Sequence, residues 1–195
     1  MKDLSRCRHL CVDMQRMFAD ATPWNIPWME RVRVPVASLA TAHPAQTVFT
    51  RFLPPPRPSD AYGTWKLYYE KWPMMTREIL GHDMVDILPE LRAVAPPAVV
   101  FDKATYSPWI DGSLHDYLRR EKVTTLVVSG GETDVCVLAA IMGAVDLGYA
   151  IILLKDGICS TSDETHDATL QLYQRRFSTQ LSVSTTAAVL DWWQP

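Results

Sequence analysis

Three reactive side chains stand where predicted β-strands end. Asp13 closes the apolar run HLCVD, Lys103 closes AVVFDK, and Cys136 follows TTLVVSG after a short glycine turn. The carboxyl ends of parallel strands meet at one edge of a sheet, which is where open α/β folds bind ligands. We therefore expect an acid, an amine and a thiol to lie together, a combination suited to nucleophilic catalysis.

The stretch SGGETDVCV favours an activated thiol at Cys136. Asp134 is a typical helix N-cap, which puts Cys136 in the first helical turn, where free N–H groups and the helix dipole favour a thiolate. A nearby Lys103 is expected to lower the thiol pKa further. Asp13 can accept the thiol proton and return it to a leaving amine. The glycine pair allows a tight turn that aims backbone N–H groups at an oxyanion.

Each of these residues also has a purely structural interpretation. A lone cysteine in an apolar helix is often a small core residue, a strand-end aspartate is often a turn residue, and a lysine is often solvated. The residues alone leave both interpretations open.

Short apolar runs alternate with segments of helical periodicity, which predicts a parallel sheet covered on both faces. The fold class is α/β, a three-layer α/β/α sandwich with a mainly parallel, roughly six-stranded, Rossmann-like central sheet. The predicted strands are residues 9–13, 47–52, 98–103, 124–130, 149–156 and 180–184. The predicted helices are residues 29–42, 111–122, 134–148 and 163–176, with Gly148 as a candidate C-cap.

Residues 1–195 are interpreted as a single domain with one unusual insert. The insert, at about residues 54–76, is rich in proline and aromatic residues and too apolar to be disordered. It is expected to be a lid, a pocket wall or a subunit contact, or else a packed excursion that covers a helix.

The composition excludes several classes of partner. The net charge is −3, with 19 basic and 22 acidic residues scattered along the chain, so no basic stripe for nucleic acid is present. We expect no membrane span and no secretory signal, and hence a cytoplasmic location. The four cysteines are then expected to be thiols. Cys7 and Cys11 flank His9 in a C-x3-C pattern, but no second half of a metal-ligand set follows, so we expect no metal there.

Three segments carry a resemblance to the isochorismatase-like cysteine hydrolase superfamily. They are VDMQRMF, FDKATYSPW and the long SGGETDVCVLAAIMGAVDLGYAIILLKDG. The last resembles the G-x-x-T-D-x-C-V signature of the superfamily, which includes nicotinamidases, N-carbamoylsarcosine amidases, ureidoacrylate and biuret hydrolases, and isochorismatases. With the order of the strands, the similarity extends over roughly residues 9–184.

The resemblance implies an Asp13–Lys103–Cys136 triad. It also implies a cis peptide bond between Gly131 and Glu132, with the N–H groups of Glu132 and Cys136 forming the oxyanion hole. The same likeness implies that Phe18 lines the pocket and that Gln15 supports Asp13 rather than reacting.

Departures from the family pattern narrow the expected chemistry. Nicotinamidases carry an Asp-x-His metal motif after the second strand, whereas this sequence reads TRFLPPP there, with Phe52 in place of the aspartate. We therefore expect no metal and no cofactor. Isochorismatases that cleave an enol ether do not need the cysteine, so Cys136 favours hydrolysis of carbon–nitrogen bonds.

The resulting hypothesis is a cysteine-dependent hydrolase of a small amide, carbamoyl or ureido compound, acting through a thioester. One alternative is a vinyl-ether hydrolase of the isochorismatase type that uses Asp13 as its acid. The other is a non-catalytic binding or subunit protein of the same fold.

Two further predictions concern the pocket walls and the assembly state. The small-molecule substrate is expected to contact aromatic side chains, with Arg51 holding a carboxylate if the substrate has one, although each residue can equally belong to the core or pair elsewhere. A homo-oligomer, a dimer or tetramer, is expected from the apolar insert and from the resemblance. The candidate pocket residues are Phe18, Trp24, Arg51, Trp65, Tyr68, Tyr69, Tyr106 and Trp109.

Overall fold

The structure, a computed structural model, describes residues 6–194 of the chain. Within that range six strands form one sheet in which every pairing is parallel. The strands are β1 (Cys7–Val12), β2 (Thr47–Phe52), β3 (Val99–Lys103), β4 (Thr125–Gly131), β5 (Ala150–Cys159) and β6 (Leu181–Ser184). All six runs predicted from the apolar pattern are strands, with bounds shifted by three residues at most.

Nine α-helices connect and cover the strands within the described range. They are α1 (Arg16–Ala19), α2 (Met29–Ala42), α3 (Thr64–Lys71), α4 (Arg77–Val85), α5 (Pro89–Arg92), α6 (Ser113–Arg120), α7 (Cys136–Asp146), α8 (Asp163–Arg176) and α9 (Thr186–Trp192). The bounds predicted for α2 and α8 are those observed. Gly148 follows the last residues of α7 with φ +86°, a conformation that glycine adopts readily and that ends the helix.

The two faces of the sheet carry separate apolar cores. Leu10 and Val12 of β1 pack with α6, α7 and α8 on one face, while Cys11 packs with α2 and α5 on the other. This alternation follows from the two-residue period of a strand buried on both sides. The predicted three-layer α/β/α fold is confirmed.

The strand order is β3-β2-β1-β4-β5-β6. The chain therefore leaves β1 in one direction to build β2 and β3, and in the other to build β4, β5 and β6. β1 and β4 are neighbours at the point where the order reverses, with Val12 opposite Gly130. In open parallel sheets this reversal leaves a crevice beyond the strand ends, where ligands bind.

The insert at residues 54–76 is ordered and contains a helix. α3 lies within it between two short 3₁₀ turns at residues 58–60 and 73–75. Tyr69 of α3 is buried in a cluster with Met17, Phe52 and Met75. The insert thus packs its aromatic face against the end of β2, close to the crevice.

The C-terminal tryptophans dock the last helix on the body of the protein. Trp193 is buried, and its ring stacks on His43 at a centroid distance of 4.1 Å. No helix in residues 6–194 is both long and apolar enough to cross a membrane.

Candidate active site

Asp13, Lys103 and Cys136 come from three different elements and meet at the crevice. Asp13 directly follows β1, Lys103 is the last residue of β3, and Cys136 is the first residue of α7. The Lys103 Nζ atom lies 2.6 Å from Asp13 Oδ2 and 3.6 Å from Cys136 Sγ. All three side chains are buried. The sequence-predicted acid, amine and thiol therefore form one contact cluster.

Asp13 is held in a fixed orientation by the neighbouring strand. Its Oδ1 accepts a hydrogen bond of 2.6 Å from the Thr50 hydroxyl, and its backbone N–H donates to the Thr50 carbonyl at 3.2 Å. The residue has φ +49°, a left-handed conformation that is uncommon outside glycine and most tolerated by Asn and Asp. This turn points the carboxylate away from the β1 axis and toward Lys103.

Lys103 reaches across the strand that separates it from Asp13. β2 lies between β3 and β1, and the Lys103 ammonium passes 5.0 Å from the centroid of the Phe52 ring at the end of β2. The ammonium also donates a hydrogen bond of 3.0 Å to the Thr105 carbonyl. Burial is the largest single influence and lowers the pKa of Lys103, but Asp13 and Cys136 together outweigh it, so the pKa is raised. Lys103 is therefore a charged ammonium in the resting site.

Cys136 differs from the sequence prediction in its protonation. Burial raises the pKa of the thiol well above its ordinary value, and the Asp13 carboxylate raises it further, while Lys103 opposes both. The expected depressed pKa is wrong because the helix start that carries Cys136 is itself buried. The resting residue is a protonated thiol.

Asp134 is not the N-cap of α7, which corrects a second expectation. The cap position is Val135, with φ −124° and ψ −92° and no side-chain cap. The Asp134 carboxylate instead accepts a hydrogen bond of 2.5 Å from the Ser160 hydroxyl. No side chain caps the helix, and the Val137 N–H of its first turn donates to the Glu132 carbonyl at 3.0 Å.

The turn between β4 and α7 brings two backbone donors to the thiol. The Gly131–Glu132 peptide bond is cis, as the resemblance implies. Gly130 has φ +115°, and a Cβ atom there would overlap the backbone of Val12, so only glycine fits. The N–H groups of Glu132 and Cys136 have no acceptor within residues 6–194. They are the two donors from which an oxyanion hole can be built.

Cys136 of this cluster lines a cavity of about 250 Å³. Four of the predicted pocket residues, Phe18, Trp24, Tyr68 and Tyr106, line it, and Tyr68 belongs to the insert. The remaining lining residues are Pro23, Asn25, Ile26, Phe52, Gly131, Glu132, Val135, Cys136 and Thr161. The insert therefore supplies part of the pocket wall.

Arg51 does not line the cavity, although the sequence suggested that it could hold a substrate carboxylate. Its guanidinium donates to both oxygens of Asp102, at 2.7 and 3.0 Å, and to Asp86 at 2.9 Å. Residues at successive positions of a strand point to opposite faces, and Arg51 precedes the cavity-lining Phe52. The arginine is therefore committed to two protein carboxylates.

Trp65, Tyr69 and Trp109 also lie outside the lining. Trp65 packs behind Tyr106, at a ring-centroid distance of 4.9 Å, and Tyr69 is fully buried in the insert cluster. The Trp109 indole donates to the Ala140 carbonyl at 2.9 Å and fills the space above Gly143 of α7. These aromatic residues support the site from behind instead of meeting a ligand.

Phe52, Asn25 and Thr161 were not predicted from the sequence. Phe52 is the last residue of β2 and Thr161 lies two residues after β5, so the rule on strand ends was sufficient to find both. Asn25 is held by hydrogen bonds from its amide to the Ala19 and Asp20 carbonyls, and no sequence motif marks it.

Gln15 contacts Phe52 and not the Asp13 side chain. Its amide accepts from the Phe52 N–H at 2.7 Å and donates to the carbonyls of Phe52 and Val85, at 2.9 and 2.6 Å. Gln15 therefore fixes the end of β2 against α4, which sets the position of the Phe52 ring in the cavity wall.

The C-x3-C segment is part of the buried sheet. His9 makes side-chain hydrogen bonds to Thr47 at 3.3 Å and to Ser129 at 2.8 Å, which ties β1 to both of its neighbours. No cluster of three His, Cys, Asp or Glu side chains suited to a metal ion occurs in residues 6–194, and no disulfide is formed within that range.

Comparison with known proteins places the chain in a family. The model of the isochorismatase domain matches residues 8–185. The chain belongs to the isochorismatase family. Members of this family are hydrolases, and the resemblance seen in the three sequence segments is confirmed.

The curated relative "Isochorismatase family protein 1B" of Dictyostelium discoideum is 28% identical to this isochorismatase-family chain over 112 residues. That stretch covers 57% of the chain and 52% of the relative. The match thus spans about half the length of the curated protein.

Two solved structures share the fold of this isochorismatase-family protein. A cysteine hydrolase from Pseudomonas syringae pv. phaseolicola superposes with a TM-score of 0.84 at 23% identity, covering 97% of this chain and 93% of the other. N-carbamoylsarcosine amidase from Thermoplasma acidophilum superposes with a TM-score of 0.75 at 19% identity, covering 93% and 96%. At these identities the likeness establishes the fold.

Proposed function

We propose that this protein is a cysteine-dependent hydrolase that cleaves the carbon–nitrogen bond of a small amide, carbamoyl or ureido compound. The observation that carries the proposal is the contact of the Cys136 thiol with a buried Asp13–Lys103 ion pair beside two unpartnered backbone N–H groups. A nucleophile, a base and oxyanion donors are the three parts that acyl transfer needs.

In the first half of the reaction, Cys136 Sγ attacks the substrate carbonyl carbon while its proton moves to Asp13. Because burial keeps the thiol protonated at rest, this transfer accompanies the attack. The negative charge on the carbonyl oxygen is held by the N–H groups of Glu132 and Cys136. Collapse of the intermediate breaks the C–N bond, and Asp13 gives its proton to the departing nitrogen, which leaves as ammonia or an amine.

In the second half, water hydrolyses the thioester. Asp13 accepts a proton from the water as its oxygen attacks, and the same backbone donors hold the second oxyanion. The C–S bond then breaks, the sulfur regains the proton from Asp13, and the acid product leaves. Lys103 keeps its charge throughout and stabilises the Asp13 carboxylate each time that it forms.

The vinyl-ether alternative finds less support in the cavity. Isochorismate-type substrates carry two carboxylates, yet no Arg, Lys or His is among the described residues that line the cavity. Arg51, the basic residue that the sequence offered for this role, is held by Asp86 and Asp102. The complete Asp13–Lys103–Cys136 cluster likewise weighs against a protein retained for binding alone.

We also infer a cytoplasmic homo-oligomer, a dimer or tetramer. Its support is the exposed apolar surface of the insert and α4, where Tyr62 is 94%, Leu67 63% and Ile79 64% exposed. Large exposed apolar side chains near one another often mark contacts between subunits. Light scattering after size exclusion tests this inference, and a mass of one chain at micromolar concentration contradicts it.

The test of the proposed reaction compares two cysteine variants. Cys136→Ala should abolish ammonia release from a panel of small aromatic and aliphatic amides and ureido compounds. Cys11→Ala removes another buried thiol, on the face of the sheet opposite to α7, and serves as the folding-matched control. Retention of wild-type turnover in Cys136→Ala excludes the thioester mechanism.

A further inference from the structure

The cavity next to Cys136 has no free positive charge among the described residues. The Lys103 ammonium is neutralised by Asp13 at 2.6 Å. Arg16, two residues before the cavity-lining Phe18, pairs with Asp20 at 3.1 Å, and Arg51 is held by two carboxylates. A substrate carboxylate that entered the cavity would lose its hydration without gaining a cationic partner, which is unfavourable.

Glu132 places a carboxyl group in the wall of the same cavity; burial raises the pKa of this group, and the hydrogen bonds from Thr161 oppose the shift. Its Oε1 accepts hydrogen bonds from the Thr161 hydroxyl and N–H, at 2.7 and 3.2 Å, whereas its second oxygen has no protein partner within residues 6–194. Burial is the main cause of the raised pKa of both Tyr68 and Tyr106, and the Glu132 carboxylate adds to each. Glu132 therefore acts electrostatically on the aromatic wall.

The aromatic part of the wall is centred on Trp24. The Trp24 ring lies 6.3 Å from that of Phe18, 6.2 Å from that of Phe52 and 5.6 Å from that of Tyr68. Aromatic faces stack on planar groups and attract cations through their quadrupole. An acidic group at the rim of such a wall adds a direct ion pair to this attraction.

We propose that the cavity selects a planar amide that is neutral or positively charged over one that carries a carboxylate, and that the Glu132 side chain is the group that determines this selectivity. The inference rests on the proposed amide hydrolysis, because it names the substrate class of the same site. Glu132 thus has two separate roles. Its backbone N–H faces the oxyanion, and its carboxylate faces the remote end of the substrate.

The test uses three probes with the same ring and the same amide. Benzamide is neutral, 3-(aminomethyl)benzamide is a cation, and 3-carbamoylbenzoate is an anion. For the wild-type protein at pH 8, we expect kcat/KM and affinity to fall in the order cation, neutral, anion. The cation should exceed the anion by a hundredfold or more, since one charge-assisted contact is gained and one desolvated charge is avoided, each about tenfold or more.

Glu132→Gln is the decisive variant, because it keeps the backbone N–H and the side-chain size while removing the charge. It should reduce the cation-to-anion ratio of kcat/KM by about tenfold or more. Glu30→Gln removes an exposed charge on α2 outside the cavity and should leave that ratio unchanged.

Binding constants measured by calorimetry with Cys136→Ala separate the two proposals. If none of the probes is hydrolysed but the cation still binds more tightly than the anion, and this difference shrinks in Glu132→Gln, then the selectivity stands and the amide hydrolysis fails. If the anion binds or reacts as well as the cation, or if Glu132→Gln leaves their ratio unchanged, the selectivity inference is overturned.

Discussion

Replacing Lys103 with methionine removes one charge of a buried ion pair and keeps a side chain of similar length. Lys103 and Asp13 have side chains only 5% and 0% exposed, with 2.6 Å between Nζ and Oδ2. After the change, the Asp13 carboxylate keeps only the hydrogen bond from Thr50. An uncompensated buried charge costs about 3–5 kcal/mol, so Lys103→Met should lower the free energy of unfolding by that amount.

The reverse substitution, Asp13→Asn, should cost about as much because it leaves the buried ammonium unpaired. Asparagine tolerates φ +49° and its amide oxygen can still accept the Thr50 hydroxyl, so backbone strain adds little. The double variant Asp13→Asn with Lys103→Met buries no charge. Its loss should be smaller than the sum of the single losses, by a coupling energy of about 2–3 kcal/mol.

Urea unfolding at pH 7, followed by tryptophan fluorescence, measures the stability of the wild-type protein, the two single variants and the double variant. The control is Arg16→Met, which breaks an ion pair whose side chains are 37% and 43% exposed and should cost less than about 1 kcal/mol. If Lys103→Met costs no more than Arg16→Met, or if the two single losses simply add, the Asp13–Lys103 pair is not the charged, buried unit described above.

Two further predictions concern stability away from the thiol. Burial, aided by His43, lowers the pKa of His9 to about 3, whereas an unfolded histidine titrates near 6.5. Protonation of His9 in the unfolded chain should therefore lower the free energy of unfolding by about 2–3 kcal/mol as the pH falls from 8 to 4.5. When unfolding is measured across this pH range, His9→Gln should lose much less stability than the wild-type protein. An equal pH dependence in the two proteins contradicts the prediction. Gly143→Ala should cost about 1–3 kcal/mol in urea, because its Cβ would overlap the Trp109 ring, and an unchanged unfolding midpoint contradicts this packing.

The strand ends were predictable from the sequence because each carries a local signal. The apolar runs bounded by polar or glycine residues predict the strands, and the carboxyl-end rule then places Asp13, Lys103 and Cys136 at one edge. The rule does not depend on strand order, and for that reason it held even though Lys103 starts two strands from Asp13.

Features of the site that depend on contacts between residues distant in the sequence could not be predicted. Arg51 and Trp109 have side chains that suit a pocket. Only the fold shows that Arg51 is paired with Asp102 and that Trp109 packs on Gly143. The pKa of Cys136 likewise depends on how deeply α7 begins within the protein, which no local pattern encodes. Short helices such as α1 and α5 have too few residues for a periodic signal and were missed.

The most direct test of the account is to look for the acyl group on Cys136 during turnover. The enzyme is mixed with an amide that it hydrolyses, quenched in acid within milliseconds to seconds, and analysed by intact-protein and peptide mass spectrometry. The account predicts a mass increase equal to the acyl group, located on the peptide that contains Cys136 and absent in Cys136→Ala. Ammonia release at the normal rate with no adduct at any time, and with Cys136→Ala equally active, would contradict it.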